Sequence, residues 1–132
     1  MKQLFDVHSL IMTTTKLMYT VIESDDLKGL ENAEIVQLPN CVAIDDDAFN
    51  GFQKIHTIDA PRCKWIGKHV LSNCPALRHI NLPKCTFINS DSFVACTSLQ
   101  RIYLPSIDMM NRNVFSDCYN LESAVLCDKS NE

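Results

Sequence analysis

The feature that most constrains this chain is an internal repeat of 22 residues. Prolines recur at that step, at Pro39, Pro61, Pro83 and Pro105. Apolar residues keep the same step in several columns, among them Ile22, Ile44, Ile66, Ile88 and Met110; Leu27, Phe49, Leu71, Phe93 and Phe115; and Val36, Ile58, Ile80, Ile102 and Ala124. Because a unit this short cannot bury its own apolar edge, its copies must stack on one another. The repeat therefore predicts a solenoid.

One repeat unit divides into two halves with different spacing. In the first half, Ile80 and Leu82 alternate with other residues as strand residues do, and Pro83 then ends the strand because it has no amide hydrogen to donate. In the second half, Phe93 and Cys96 are three residues apart, the spacing of a short helical or 3-10 turn. We therefore expect an α/β solenoid, a right-handed coil with a short parallel β-sheet on one face and short helical turns on the other.

The unit resembles the BspA-like leucine-rich repeat, L-x-x-I-x-L-P-x-x-x-x-I-x-x-x-A-F-x-x-C-x-x-L, although it is one residue shorter. The resemblance covers residues 33–126 and is carried by Phe49, Phe93 and Phe115 at the Phe of the Ala-Phe pair and by Cys74, Cys96 and Cys118 at the cysteine. Members of that family are commonly surface-exposed binding or adhesion modules. The resemblance thus implies a leucine-rich-repeat fold and a protein-interaction module that is not an enzyme.

The chain divides into three parts. Residues 33–126 hold the regular repeats, and residues 1–32 are predicted to form an N-terminal cap plus a degenerate first repeat, in which Lys16 stands where leucine recurs later. Residues 127–132 are a polar tail. Because no cap is evident after the last strand, we expect either self-association through the end coils or a partner at that end.

Composition argues against several broad functions. The formal net charge of −4 gives no general attraction to nucleic acid or to anionic membranes, and no apolar run is long enough to insert into a bilayer. Asp6 and His8 interrupt the N-terminus where a secretory signal needs an apolar run, and the seven cysteines are an odd number that fits a reducing compartment. We expect a cytoplasmic protein, with surface exposure as the alternative that the family resemblance implies.

The cysteines and histidines are the candidates for chemistry. No C-x-x-C pair exists, and the cysteine columns also hold plain apolar residues, so we interpret the cysteines as core residues, with Cys127 as the accessible thiol. His56, His79 and Asp59 fall on adjacent strands about 4.8 Å apart and are the candidates for a polar cluster. We favour solvated positions on an exposed sheet face. No metal, cofactor or catalytic residue is predicted.

Two further features have structural interpretations. The acidic run at residues 45–47 precedes Ala48-Phe49, where acids favour the start of a helix, and the later repeats do not repeat these acids as a calcium site would require. Trp65 shares a column with Val21, Ala43, Phe87 and Met109. We expect it to pack on the shoulder of its coil, with a ligand platform as the alternative.

Function on such a scaffold must reside in the variable positions of the sheet face. We expect that face to form one surface, with Arg78 next to Arg101 and Asn81 next to Tyr103. Arginine and tyrosine are favoured at binding hot spots, so these coils are predicted to lie at the centre of a contact with another protein. The predicted partner surface consists of Arg78, His79, Asn81, Arg101, Tyr103, His56 and Asp59.

Overall fold

The computed structural model describes residues 3–5 and 14–126, which form stacked coils with two β-sheets. We number the strands along the chain. The first sheet contains β1 (Gln3–Phe5), β2 (Thr14–Lys16), β4 (Ile35–Gln37), β6 (Thr57–Asp59), β8 (His79–Asn81), β10 (Arg101–Tyr103) and β12 (Ser123–Val125). The second contains β3 (Val21–Ile22), β5 (Ala43–Ile44), β7 (Trp65–Ile66), β9 (Phe87–Ile88) and β11 (Met109–Met110). In the described residues, no helix has the length and apolarity to cross a bilayer.

The first sheet confirms the predicted stacking of repeats. Its strands from β2 to β12 are parallel, and Ile58, Ile80 and Ile102 stand directly opposite one another in the ladder. These central side chains are buried, whereas the residues on either side of them in each strand point away from the core. The solenoid and its parallel sheet follow directly from the 22-residue step and the strand alternation.

The expected helical face is wrong, because a second parallel sheet and a series of turns take its place. The one helix in the described residues is the 3-10 helix Ser24–Leu27. In the turn segments, alternate amides bond within the coil and across coils: Cys96 N donates to Phe93 O (3.3 Å), whereas Phe93 N donates to Val114 O (3.0 Å) and Ala95 N to Ser116 O (2.8 Å). In an α-helix, each of these amides would donate to a carbonyl four residues earlier in the same segment. The three-residue apolar spacing therefore reflects successive turns rather than a helix.

Left-handed backbone conformations bend these turn segments. Asp91 and Ala95 both have a φ of 60°, and equivalent residues of the other coils share the left-handed region. They are Asp47, His69 and Asn113 at the first position and Gly29, Gly51, Asn73 and Asp117 at the second. A left-handed residue interrupts a right-handed helix. Two such residues in a coil therefore prevent the turn segment of that coil from forming a helix.

The cysteines lie in the core, as predicted. Of those in the described residues, five are fully buried and Cys118 is half-buried, and none forms a disulfide. Cys74 Sγ donates to Phe49 O (3.2 Å) and Cys96 Sγ to Leu71 O (3.0 Å), both on the preceding coil. The thiol thus fills apolar volume and also donates to a buried carbonyl of the preceding coil, which leucine could not do. Cys127 lies outside the described residues.

The first coil is one residue shorter than the others, which corrects the assignment of Lys16. Thr15 stands opposite Val36, and Lys16 stands opposite Gln37 on the outer side of the sheet. Leu17, which is fully buried, therefore takes the leucine position. Strand β1 pairs antiparallel with β2, at the outer edge of the first sheet.

Candidate functional site

The outward side chains of the first sheet form two adjacent rows, which together with His56 and Arg78 we call the polar face. One row is Ile35, Thr57, His79 and Arg101, and the other is Gln37, Asp59, Asn81 and Tyr103. The register places Asn81 beside Tyr103, as expected. Because the hydrogen-bonded ladder fixes the backbone of both rows, their side chains extend from a rigid support.

One expected neighbour pair is wrong. Arg101 stands opposite His79 in the ladder, not opposite Arg78. The two arginines are 23 residues apart, one more than the repeat, so Arg78 falls just before β8. Its carbonyl accepts hydrogen bonds from Gln100 N (3.0 Å) and Arg101 N (3.1 Å), and its side chain is exposed. The polar face therefore has two separate arginines on neighbouring coils.

The two histidines of the polar face are in contact, whereas Asp59 has another partner. The rings of His56 and His79 meet edge to face, with centroids 5.7 Å apart. Asn81 Nδ2 donates to Asp59 Oδ1 at 2.8 Å. Among the described residues, no group of three histidine, cysteine or acidic side chains could hold a metal ion. The polar face is thus a hydrogen-bonding surface in this part of the chain.

Local electrostatics keep one of these rings neutral. Partial burial lowers the pKa of His56 below its ordinary value of 6.5, and the charges of Arg78 and His79 lower this pKa further. His56 Nδ1 lies 2.9 Å from Thr57 Oγ1. At neutral pH the imidazole is therefore uncharged and offers both a donor and an acceptor.

A shallow depression borders each end of the strands in the polar face. The first has a volume of about 400 Å³ and is lined by Glu34, Gln53, Lys54, His56, Ala76, Arg78 and Ser98. The second has a volume of about 210 Å³ and is lined by Lys16, Gln37, Leu38, Pro39, Asp59 and Pro61. Side chains of a partner that spans the polar face would meet a recess on either side.

The second sheet displays a surface that sequence reasoning missed. The packing interpretation of Trp65 is wrong, because its side chain is 63% exposed. Its strand neighbour Ile66 is buried, and successive strand residues point to opposite faces. The alternation of Trp65 and Ile66 in the strand could therefore have predicted that Trp65 is exposed. In the ladder Trp65 stands between Ala43 and Phe87. Trp65, which we expected to pack on the shoulder of its coil, instead faces outward.

Comparisons with known proteins agree with this architecture. Comparison with curated proteins gives no match. Among solved structures, the chain is similar to a leucine-rich repeat protein of T. pallidum, with a TM-score of 0.55, 21% identity, and coverage of 93% of this chain and 67% of that one. It is also similar to a leucine-rich cell surface protein of Faecalibacterium prausnitzii A2-165, with a TM-score of 0.50, 20% identity, and coverage of 94% and 38%.

These two likenesses show the fold, and the chain spans about two thirds of the first protein and well under half of the second. The family model for the BspA type leucine-rich repeat region matches residues 20–132 in six copies. This match covers most of the chain and includes the described coils from β3 to β12. The chain therefore belongs to the BspA-type leucine-rich-repeat family.

Proposed function

We propose that this chain is a non-catalytic protein-interaction module that binds another protein through the polar face. The observation that carries the proposal is the pair of outward rows that runs across β4, β6, β8 and β10 and is polar at every position except Ile35. Those rows vary in residue type from coil to coil while the core columns beneath them stay apolar. Variation on a rigid support is what recognition of a partner requires, because the fold does not dictate those side chains.

Charge and exposure favour a partner surface that carries carboxylates. The whole chain has a net charge of −4, yet Arg78 and Arg101 are exposed on neighbouring coils of the polar face. Tyr103, which is 44% exposed, lies on the same strand as Arg101. A guanidinium binds a carboxylate with two parallel hydrogen bonds, and tyrosine adds apolar area with one polar atom. These three side chains form the proposed centre of the contact.

Two of the buried core thiols are held in their unreactive form, which supports a non-catalytic role for them. Burial raises the pKa of the Cys74 thiol to about 12 and that of Cys85 to about 11. Both are therefore protonated near neutral pH, and the thiol is a much weaker nucleophile than the thiolate. Both depressions beside the polar face are open rather than enclosed, which gives a reacting group little protection from water.

The test compares two double variants, each of which replaces one arginine and one tyrosine by alanine, on different sides of the coil. A photoreactive amino acid at position 37, on the polar face but outside the proposed centre, captures the partner from the native source, and the purified pair is then titrated. We expect Arg101→Ala with Tyr103→Ala to weaken binding at least about 30-fold, the scale of one hot-spot residue. The matched control is Arg112→Ala with Tyr119→Ala, two exposed residues on the turn side.

Substitution of Arg78, His79, Arg101 and Tyr103 together by alanine gives the strongest form of this test. We expect that variant to retain the far-ultraviolet circular dichroism of the parent and to lose binding. Unchanged binding by the fourfold variant, or an equal loss in the turn-side control, would contradict the proposal.

A structural role through the end coils is the second candidate. Among the described strands β12 pairs with β10 alone, and all three of its residues are exposed. Val125 is 48% exposed and Leu126 is 40% exposed. An open strand edge with apolar side chains favours pairing with another chain. Light scattering over a range of protein concentrations tests this candidate, and a monomer at the highest concentration would refute it.

A further inference from the structure

The second sheet carries an exposed apolar surface that the proposed function does not use. We call it the apolar row: Val21, Ala43, Trp65, Phe87 and Met109, side by side in parallel register. Trp65 is 63%, Met109 57% and Val21 43% exposed. With strands about 4.8 Å apart, a row of five residues extends for about 19 Å. A contiguous apolar strip of this kind marks an interaction site more often than scattered single residues do.

A recess interrupts the apolar row because a small residue stands next to the tryptophan. Ala43, opposite Trp65 in the ladder, has only a methyl group. The resulting cavity has a volume of about 370 Å³. Val21, Trp65 and Phe87 line it, together with Asp45 and Asp46. One recess therefore combines an indole face, aliphatic walls and two acidic groups.

The two carboxylates lack a cationic partner within residues 14–126. Neither Asp45 nor Asp46 forms an ion pair there, although both are exposed. Asp46 Oδ1 accepts a hydrogen bond from Lys68 N at 2.8 Å, and Asp45 Oδ1 accepts one from Asp46 N at 2.9 Å. These backbone bonds hold the carboxylates in place without neutralising them. Two oriented negative charges beside an apolar recess are complementary to a cation with an aliphatic stem.

We infer that this recess binds an arginine or lysine side chain of an extended segment of a partner protein, with aliphatic neighbours of that side chain lying on the apolar row. The methylene stem would lie along Ala43 and Trp65, and the cationic head would meet Asp45 and Asp46. Long basic side chains have this division between an apolar stem and a charged head. The Trp65 indole adds attraction for the cation, since tryptophan is the best aromatic partner of a cation. This surface belongs to the second sheet, so the inference goes beyond the proposed function of the polar face.

The chain provides its own reporter for the test, because Trp65 is its one tryptophan. The probe is a short acetylated and amidated peptide of alternating leucine and arginine, and the matched peptide contains citrulline, the neutral isostere, in place of arginine. We expect the arginine peptide to change the Trp65 fluorescence in a saturable manner. The citrulline peptide should bind at least about tenfold more weakly, the scale of one lost charge-assisted hydrogen bond.

Variants separate the contribution of charge from that of the aromatic face. Asp45→Asn with Asp46→Asn keeps the oxygen acceptors and removes both charges, so it should lose most of the preference for the arginine peptide and keep only the part that Trp65 provides. Trp65→Leu keeps apolar bulk and should weaken the arginine peptide more than the citrulline peptide, measured by calorimetry. The polar-face variant Arg101→Ala with Tyr103→Ala should bind the arginine peptide as the parent does, whether or not the polar face binds its own partner.

Four outcomes would overturn the inference. Equal binding of the two peptides by the parent chain would remove the role of the charge. An unchanged arginine preference in the Asp45→Asn, Asp46→Asn variant would place the cation elsewhere. A fluorescence shift with phosphatidylserine vesicles but not with the peptide would assign the row to a membrane surface. A shift that depends on protein concentration alone would assign it to a second copy of the chain.

Discussion

Ile66→Ala tests the stacking of the coils directly, because Ile66 lies at the middle of a core column. Its side chain is 1% exposed, and it stands between Ile44 and Ile88 in the ladder of the second sheet. The substitution removes three carbon atoms, worth about 2.4 kcal/mol at 0.8 kcal/mol for each buried methylene. The cavity that remains between two fixed coils adds to this loss. We expect the free energy of unfolding to fall by about 3–4 kcal/mol.

The matched control is Met110→Ala, at the last described position of the same column. It also removes three heavy atoms, but Met110 is half-buried and β11 pairs with β9 alone among the described strands. A site with one neighbouring coil and partial exposure should lose about 1–1.5 kcal/mol, since less area returns to water and the remaining space opens to solvent. The difference between the two variants therefore measures the contribution of the second neighbouring coil.

Urea denaturation followed by far-ultraviolet circular dichroism measures both free energies. The slope of the unfolding free energy against urea should be unchanged, so that the shift in midpoint reports stability alone. Ile66→Val should lose only about 0.5–1.5 kcal/mol. Equal losses for Ile66→Ala and Met110→Ala, or a loss below about 1 kcal/mol for Ile66→Ala, would refute the account of a core built by stacked columns.

Three further predictions concern a close backbone contact and two kinds of titrating group. Gly67→Ala should lower the free energy of unfolding by about 1–3 kcal/mol, because a Cβ there would lie 2.8 Å from a backbone nitrogen of the preceding coil; an unchanged thermal midpoint would contradict this. Burial raises the pKa of Cys85 from 9.0 to about 11, so its stabilising contribution is complete below pH 9 and is lost as pH rises toward 11, by about 1.4 kcal/mol per pH unit. Urea titrations at several alkaline pH values should show that the free energy of unfolding depends less on pH in Cys85→Ala than in the parent. The same pH dependence in both chains would contradict this prediction. Arg78→Ala should raise the pKa of His56, measured by nuclear magnetic resonance, because it removes a nearby positive charge while partial burial still lowers the pKa; no change would exclude the charge effect.

The repeat by itself determined the solenoid and its first sheet. A constant 22-residue step brings equivalent residues side by side, so Ile58, Ile80 and Ile102 had to occupy one column, and the alternation around Ile80 indicated a strand. The buried cysteines followed in the same way, since their column also holds apolar residues. These conclusions needed only periodicity, because any residue that repeats in register meets the same environment in every coil.

The tertiary structure decided whether the second half of each coil was a helix or a set of turns. Phe93 and Cys96 have the same spacing in both, and the outcome depended on amides of one coil finding carbonyls of the next, which no single repeat reveals. Left-handed residues such as Ala95 carry no signature comparable to glycine.

Tertiary structure also set the local registers and the exposure of the side chains. The first coil spans 21 residues instead of 22, so that Leu17 occupies the leucine position in the core. Burial of this leucine outweighs a constant spacing of the repeats. Trp65 faces outward because the next residue in its strand, Ile66, faces inward. The sequence specified which residues recur, whereas the tertiary structure decided where each strand and turn lies and therefore which of these residues face the core.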